Sequence, residues 1–260
     1  MSTPGRTGTV AGLFLLAVLV LPVAGLVGST SPGDLWAAAG TASFREALTL
    51  SIRTSAAAMA VIALLGTPLA WLLSRRQGPV RRLGLTLVEV PVVLPPAVLG
   101  IALLQTFGRA GTLGPAMGAL GVGIPFTEGA VVLAQVLVGA PLHVLAATAA
   151  FDAVDDDLLL VARTLGASRL RAWWTVALPA AAPGLASGAA MAWARALGEF
   201  GATLMFAGNL PGTTQTLPLA IYSAMERDMA EARAVSVLLL GVAVAVLLGA
   251  RALGGVSRAR

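Results

Sequence analysis

The side chains in this sequence that could do chemistry are few, and their types exclude most catalytic and metal-binding arrangements. The 260 residues contain no cysteine and a single histidine, His143, which excludes disulfides, thiolate ligands and histidine metal clusters. All 17 basic residues are arginine. Because a P-loop needs a lysine to reach the β- and γ-phosphates, the chain cannot carry such a site. We expect it to bind no cofactor and no metal, and any ATP and magnesium to be used by a separate chain.

One pair of opposite charges lies inside a long apolar stretch. Arg195 and Glu199 are four residues apart, which places them on one face of a helix. Ionisable groups within a membrane are costly and are usually paired or functional. We favour a pair that orients its helix, because a carboxylate lining an anion pathway would repel the anion. A pair that itself lines a pathway is the alternative.

The elements that must position these side chains are membrane-spanning helices. Of the residues, 57% are hydrophobic and 11% charged, and the mean hydropathy is +0.88, whereas soluble domains carry roughly 25% charged residues. A span needs roughly 20 apolar residues, and the apolar runs lack the alternation of barrel strands. The sequence predicts an all-α polytopic membrane protein with six transmembrane helices. These runs are residues 10–27, 55–73, 85–107, 130–150, 180–206 and 234–250.

The arginines predict the orientation of these spans. If the N-terminus is cytoplasmic, eleven arginines lie in cytoplasmic segments, five lie outside and one lies within the fifth span. Because cytoplasmic loops carry an excess of arginine and lysine, both termini are predicted to be cytoplasmic. The arginines form no basic face, so we expect membrane lipid and no nucleic acid as a partner. Cleavage of the first run as a signal peptide is an alternative.

These spans divide the chain into four parts and define one prominent loop. Residues 1–28 are predicted to be an N-terminal transmembrane helix, and residues 29–48 a Gly/Ser/Pro-rich extracytoplasmic linker. Residues 49–251 form the transmembrane core, which contains a cytoplasmic loop at residues 152–179. Residues 252–260 are a cytoplasmic tail.

The cytoplasmic loop has the pattern of two short helices around a turn. From Asp155 to Pro179 it reads D-D-D-L-L-L-V-A-R-T-L-G-A-S-R-L-R-A-W-W-T-V-A-L-P. The three acidic residues suit the positive N-terminal end of a helix. Residues 158–165 are predicted to be that helix, Gly166 the turn, and residues 170–176 a second helix.

This loop resembles the signature E-A-A-x3-G-x9-I-x-L-P of binding-protein-dependent ABC importer permeases. Gly166 is the signature glycine and residues 176–179 its I-x-L-P end, whereas Leu160 stands at the acidic position. The resemblance implies a type I ABC importer permease architecture and a loop that docks on a separate ATPase. An ordinary amphipathic loop is the alternative. The residues implied for the contact are Ala162, Arg163, Thr164, Leu165, Gly166, Ala167 and Ser168.

A second resemblance is more specific. The chain reads A-R-A-L-G-E-F-G-A-T from Ala194 to Thr203 and M-F-A-G-N-L-P-G-T-T-Q-T-L-P-L-A-I-Y from Met205 to Tyr222, which is similar to the permeases of molybdate importers and, more distantly, of sulfate and tungstate importers. The resemblance implies a translocation subunit that is not itself an enzyme and works by alternating access in the bacterial inner membrane. It also implies a homodimer with two ATPase subunits and an extracytoplasmic oxyanion-binding protein.

Hydrogen-bond donors in this region suggest an outer gate for a tetrahedral dianion. Polar side chains follow the predicted fifth span, and backbone amides at glycine turns can add donors. A polar loop that never contacts substrate is the alternative. In the third span, prolines bend the helix, which either lines the pathway or serves packing alone. The candidate pathway residues are Pro95, Pro96, Arg195, Glu199, Thr203, Asn209, Thr213 and Gln215.

Two other function classes fit less well. An ion-gradient-driven transporter would need intramembrane carboxylates and often inverted repeats, but Glu199 is a thin basis and no repeat is visible. A membrane-embedded enzyme would need clustered catalytic groups, and a single histidine does not supply them.

Overall fold

The computed structural model describes residues 6–256, which form fourteen α-helices and no strand. Two π-helical turns, Ile62–Gly66 and Trp173–Ala177, connect α3 to α4 and α10 to α11 without a break. The helices are α1 (Arg6–Gly28), α2 (Pro32–Gly40), α3 (Ala42–Val61), α4 (Thr67–Ser74), α5 (Gly78–Val93), α6 (Pro96–Phe107), α7 (Gly114–Ala119), α8 (Glu128–Asp152), α9 (Asp156–Thr164), α10 (Arg169–Ala172), α11 (Leu178–Leu197), α12 (Gly201–Ala207), α13 (Leu217–Met225) and α14 (Met229–Val256).

Five of the six predicted spans are confirmed as helices long and apolar enough to cross a membrane. The second span is longer than predicted, because α3, the π-turn and α4 run on as one 33-residue helix. Within the described part of the chain, these helices are Gly8–Gly28, Ala42–Ser74, Glu128–Asp152, Arg169–Leu197 and Met229–Gly249.

The third span is not the single helix predicted at residues 85–107. The chain turns by 111° between α5 and α6. Leu94 is extended, with ψ 138°, because the residue before a proline is disfavoured in the helical conformation. Pro95 then starts a new helix, and its carbonyl oxygen accepts from the N–H of Val98 at 2.9 Å and of Leu99 at 3.2 Å. The predicted proline bend is confirmed, and it breaks the helix.

The fifth span begins earlier than the predicted residue 180 and ends sooner than residue 206. The π-turn ends at Ala177, two residues before Pro179, whose missing N–H interrupts the regular hydrogen bonding. The helix runs on through the turn. The helix then stops at Leu197. Three residues, 198–200, separate it from α12, so the span is broken where a continuous helix was expected.

Two predicted segments outside the spans are also corrected. The linker at residues 29–48 contains α2, whose N–H at Asp34 donates to the Ser31 hydroxyl at 3.1 Å, and α2 packs against α14. The predicted tail at residues 252–260 starts within α14, which continues to Val256. The last four residues lie outside the described range.

Helices α8 and α11 pack together at the centre of the molecule, and small residues allow the close approach. A Cβ at Gly184 would lie 2.5 Å from the Cβ of Ala150, and one at Gly188 would lie 2.8 Å from that of Ala146. Glycine and alanine are the residues that let helix backbones approach in a membrane, where there is no hydrophobic force between helices. This pair of helices is the frame on which the candidate sites are built.

Candidate functional site

The first candidate site is the loop between α8 and α11, which has the predicted helix–turn–helix form. Asp155 begins α9, and its Oδ1 accepts from the N–H of Asp157 at 2.9 Å. Ser168 begins α10 in the same way, accepting from the N–H of Arg171 at 3.2 Å. Gly166 forms the turn between them with φ +87°. Local capping chemistry therefore builds this loop.

The turn has the hydrogen-bond pattern of a Schellman motif. The N–H of Gly166 donates to the carbonyl of Arg163, and the N–H of Ala167 to that of Ala162, both at 3.0 Å. This pattern ends a helix with one residue in the left-handed region, where glycine is favoured. Leu165, beside the turn, is 82% exposed. The loop thus presents an exposed leucine side chain beside its turn.

The base of the loop is tied to the end of α4 and to the first turn of α5, which the sequence did not predict. Arg75 forms an ion pair with Asp156 and donates through Nη2 to the carbonyl of Phe151 at 2.9 Å. Arg81 forms an ion pair with Asp152. These links fix the start of the loop against the second and third spans. Basic and acidic residues in successive predicted cytoplasmic loops are the only signal that could have suggested them.

The second candidate site lies where the breaks in two spans meet. A Cβ at Gly201, the first residue of α12, would lie 2.9 Å from the Cβ of Pro96, the first residue of α6. Farther along, a Cβ at Gly100 would lie 2.6 Å from the Cβ of Met205. The two short helices therefore start together and run side by side. The sequence analysis named Pro95, Pro96, Arg195 and Glu199 as candidate pathway residues. In the structure, the helix breaks beside these residues contact each other.

The Arg195–Glu199 ion pair is present, but it is not within one helix. The Nη1 of Arg195 lies 2.8 Å from the Oε2 of Glu199, and Oε1 accepts from the N–H of Ala202 at 2.7 Å. Because α11 ends at Leu197, Glu199 lies in the break and its carboxylate caps α12. A negative charge is favourable at that end of a helix. The glycines on either side of Glu199, at 198 and 201, are the signal for the break.

The predicted gate residues fall into three environments. The Nε2 of Gln215 donates to the Oδ1 of Asn209 at 2.9 Å and to the Oγ of Ser223 at 3.2 Å, and the Nδ2 of Asn209 donates to the same Oγ at 2.9 Å. These amides therefore hold the turn to α13. Thr203 is fully buried in α12, with no partner for its hydroxyl among the described residues, and Thr213 is exposed. Ser223 gave no signal in the sequence.

The family model described as "Binding-protein-dependent transport system inner membrane component" matches residues 63–253 of the chain. The chain belongs to this family. The inner membrane component is therefore a multi-pass protein of the inner membrane, and its matched region includes both candidate sites.

Curated relatives cover most of this inner membrane component. The molybdenum transport system permease protein ModB of Mycobacterium tuberculosis is 43% identical over 240 residues, which cover 92% of this chain and 90% of that protein. The ModB of Escherichia coli K12 is 38% identical over 203 residues, covering 78% and 89%. The molybdate/tungstate transport system permease protein WtpB of Pyrococcus abyssi is 36% identical over 210 residues, covering 81% and 78%.

Solved structures show the same fold for this inner membrane component. A chain of a bacterial ABC transporter involved in the import of the acidic polysaccharide alginate superposes with a TM-score of 0.75 at 15% identity, covering 96% of both chains. A chain of the MetNI methionine ABC transporter, in an inward-facing conformation, superposes with a TM-score of 0.66 at 16% identity, covering 88% and 99%. The expected ABC importer permease architecture is confirmed.

Proposed function

We propose that this chain is the permease subunit of an ATP-driven importer that carries molybdate inward. The observation that carries the proposal is the 43% identity to a molybdenum transport permease along 240 residues. The aligned region covers 92% of the chain and therefore includes both candidate sites. The relative that transports molybdate or tungstate, at 36% identity, makes tungstate the second candidate substrate.

The proposed assembly contains two copies of this chain, two ATPase subunits and an extracytoplasmic oxyanion-binding protein. A single chain has too few spans to enclose a pathway. The ATPase is assigned to a separate chain because the sequence has no lysine for a P-loop. The proposed orientation places both termini and the Gly166 loop in the cytoplasm, in accord with the arginine distribution.

The proposed mechanism is alternating access driven through the Gly166 loop. ATP binding closes the ATPase pair, the loops move with it, and the spans open outward to receive the anion. Hydrolysis then restores the inward-facing state. The proposed contact is the segment from Ala162 to Ser168, supported by the exposed apolar side chain of Leu165 and by the defined turn at Gly166. The ion pairs at Asp152 and Asp156 would carry the loop's movement to the second and third spans.

Uptake by the reconstituted complex tests the proposal. The permease, its ATPase and its binding protein are placed in proteoliposomes, and uptake of radioactive molybdate is measured with and without ATP. We expect uptake that depends on ATP and that excess unlabelled molybdate abolishes. An ATPase whose P-loop lysine is replaced serves as the control and should give no uptake. Competition by tungstate and by sulfate then ranks the substrates.

Two results would contradict the proposal. Uptake that persists with the inactive ATPase and follows an ion gradient would indicate an ion-driven transporter. Uptake that sulfate suppresses more strongly than molybdate would assign the chain to another oxyanion.

A further inference from the structure

Arg195 lies level with the middle of a span. Gly139 is the twelfth of the 25 residues of α8. A Cβ at Gly139 would lie 3.0 Å from the carbonyl oxygen of Ala192 and 3.6 Å from the Cβ of Ala196. Arg195 is between these two residues in α11. Its backbone is therefore at the level of the centre of α8.

The ends of α8 locate that level within the membrane. Glu128 at one end forms an ion pair with Arg53, and Asp152 at the other end forms one with Arg81. Charged pairs of this kind mark the two polar boundaries of a span. A helix of 25 residues is about 37 Å long, slightly more than the hydrocarbon thickness of about 30 Å. The midpoint of α8, and with it Arg195, thus lies near the centre of the bilayer.

The two charges of the pair are exposed very unequally. The side chain of Glu199 is 1% exposed, whereas that of Arg195 is 37% exposed. Both carboxylate oxygens of Glu199 are engaged, one by Arg195 and one by the N–H of Ala202. Nε and Nη2 of Arg195 have no hydrogen-bond partner among the described residues. The guanidinium of the pair is therefore exposed at the surface of the chain, and the carboxylate is buried within it.

An exposed guanidinium at this depth needs a polar environment. Facing lipid, it would be among the most costly groups in the membrane. Non-helical backbone at membrane depth is likewise tolerated only where protein buries it or where it lines a polar cavity. Arg195 is next to one helix break, and that break contacts the other through Gly201 and Pro96. In secondary transporters, discontinuous helices near the bilayer centre form the substrate sites.

We infer that Arg195 contacts the oxyanion at the middle of the pathway and that Glu199 is the positioning residue that holds its guanidinium there. This inference rests on the proposed function. In each of the two proposed copies, the guanidinium of Arg195 supplies one positive charge that attracts the dianion. Glu199 does not repel the anion, because its charge is buried and shared between Arg195 and the N-terminal end of α12.

Substitutions of Arg195 separate charge from shape in the reconstituted complex. Arg195→Gln can still donate to Glu199 but carries no charge, and we expect molybdate uptake to fall at least about tenfold, as when a charge-assisted hydrogen bond is lost. Arg195→Lys keeps the charge and should retain part of the uptake. Assembly with the ATPase and the apparent KM for the loaded binding protein should stay unchanged in both. Uptake near wild type in Arg195→Gln would overturn the inference.

A double reversal distinguishes anion contact from a purely orienting ion pair. In Arg195→Glu combined with Glu199→Arg the pair is retained, but a carboxylate takes the exposed position. We expect an assembled complex that does not transport, whereas restored transport would show that the pair only orients the helix and would overturn the inference. If the double variant does not assemble, the difference in molybdate uptake between Arg195→Gln and Arg195→Lys decides whether Arg195 contacts the anion.

A second arginine provides the matched control. Arg227 and Glu231 form another pair four residues apart, at 3.9 Å and with both side chains more exposed. Arg227→Gln should leave uptake unchanged. Wild-type complex that takes up no molybdate would refute the proposed function itself. If the wild-type complex takes up molybdate and Arg195→Gln does so at nearly the same rate, only the role of Arg195 is refuted.

Discussion

Replacing Gly166 with alanine tests whether the loop docks in the conformation described here. Gly166 has φ +87°, and a Cβ added there would have no neighbour within 4 Å. The substitution therefore introduces no clash, and its cost is conformational only. Holding an L-residue in the left-handed region costs about 1–2 kcal/mol. The free loop can avoid that cost by opening the turn, whereas the docked loop must pay it.

The expected effect is weaker binding to the ATPase. A cost of about 1–2 kcal/mol corresponds to a factor of about 5–30 in an equilibrium constant. The Kd between the permease in nanodiscs and its ATPase subunit should rise by that factor, measured by titrating the ATPase onto immobilised permease. ATP-dependent uptake at a subsaturating ATPase concentration should fall in proportion.

A second glycine in the same kind of conformation is the control. Gly78 has φ +69° and also has open space around its Cβ position, but it is the first residue of α5 and lies outside the loop. Gly78→Ala has the same backbone cost and should leave the Kd for the ATPase unchanged. The reasoning is refuted if Gly166→Ala binds the ATPase as tightly as wild type, or if both variants weaken binding equally.

Three further tests use substitutions at other contacts. Ser51→Ala removes the buried hydroxyl that accepts at 2.8 Å from the N–H of Leu217, the first residue of α13. The free energy of unfolding in detergent should fall by about 1–3 kcal/mol, and an unchanged melting temperature would contradict this. Thr203→Val and Asn209→Leu should each lower uptake if this segment is the outer gate, and unchanged flux in both would remove that role. Arg81→Asp should lower ATP-dependent uptake, and adding Asp152→Arg should restore it; a double variant as inactive as the single one would show that the ion pair does not link these spans.

The features predicted from the sequence are those that depend on local chemistry. The long apolar runs predicted six spans, and five of them contain a helix long enough to cross a membrane, because hydrocarbon thickness sets a minimum helix length. The helix–turn–helix form of the cytoplasmic loop was predicted because Asp155 and Gly166 act on their own neighbours, through a cap and a left-handed turn. The Arg195–Glu199 pair was predicted because residues four apart meet on a helix.

The features that sequence did not predict depend on contacts between distant segments. Two prolines predict a bend, but the 111° turn also depends on α6 packing against α12, where Gly100 leaves room for Met205. Glu199 was predicted to lie in a continuous helix. Its role as a cap of α12 could not be predicted, because that role exists only where the span is broken. The amides of Asn209 and Gln215 were predicted as candidate donors to an anion. Their hydrogen bonds to each other and to Ser223 on α13 were not predicted, because no apolar run had marked that helix.

The continuity of the helix from Arg169 to Leu197 has a mechanical consequence. Its 29 residues make a rod about 43 Å long, with one end in the cytoplasmic loop and the other beside the helix break at residues 198–200. Pivoted at the loop, the rod would displace its far end by about 0.75 Å for each degree of tilt, and a tilt of about 5° would move it by nearly 4 Å. That displacement exceeds the length of a hydrogen bond. In the proposed complex, a small tilt transmitted from the ATPase would therefore be enough to make or break a contact with an ion at the far end of the rod.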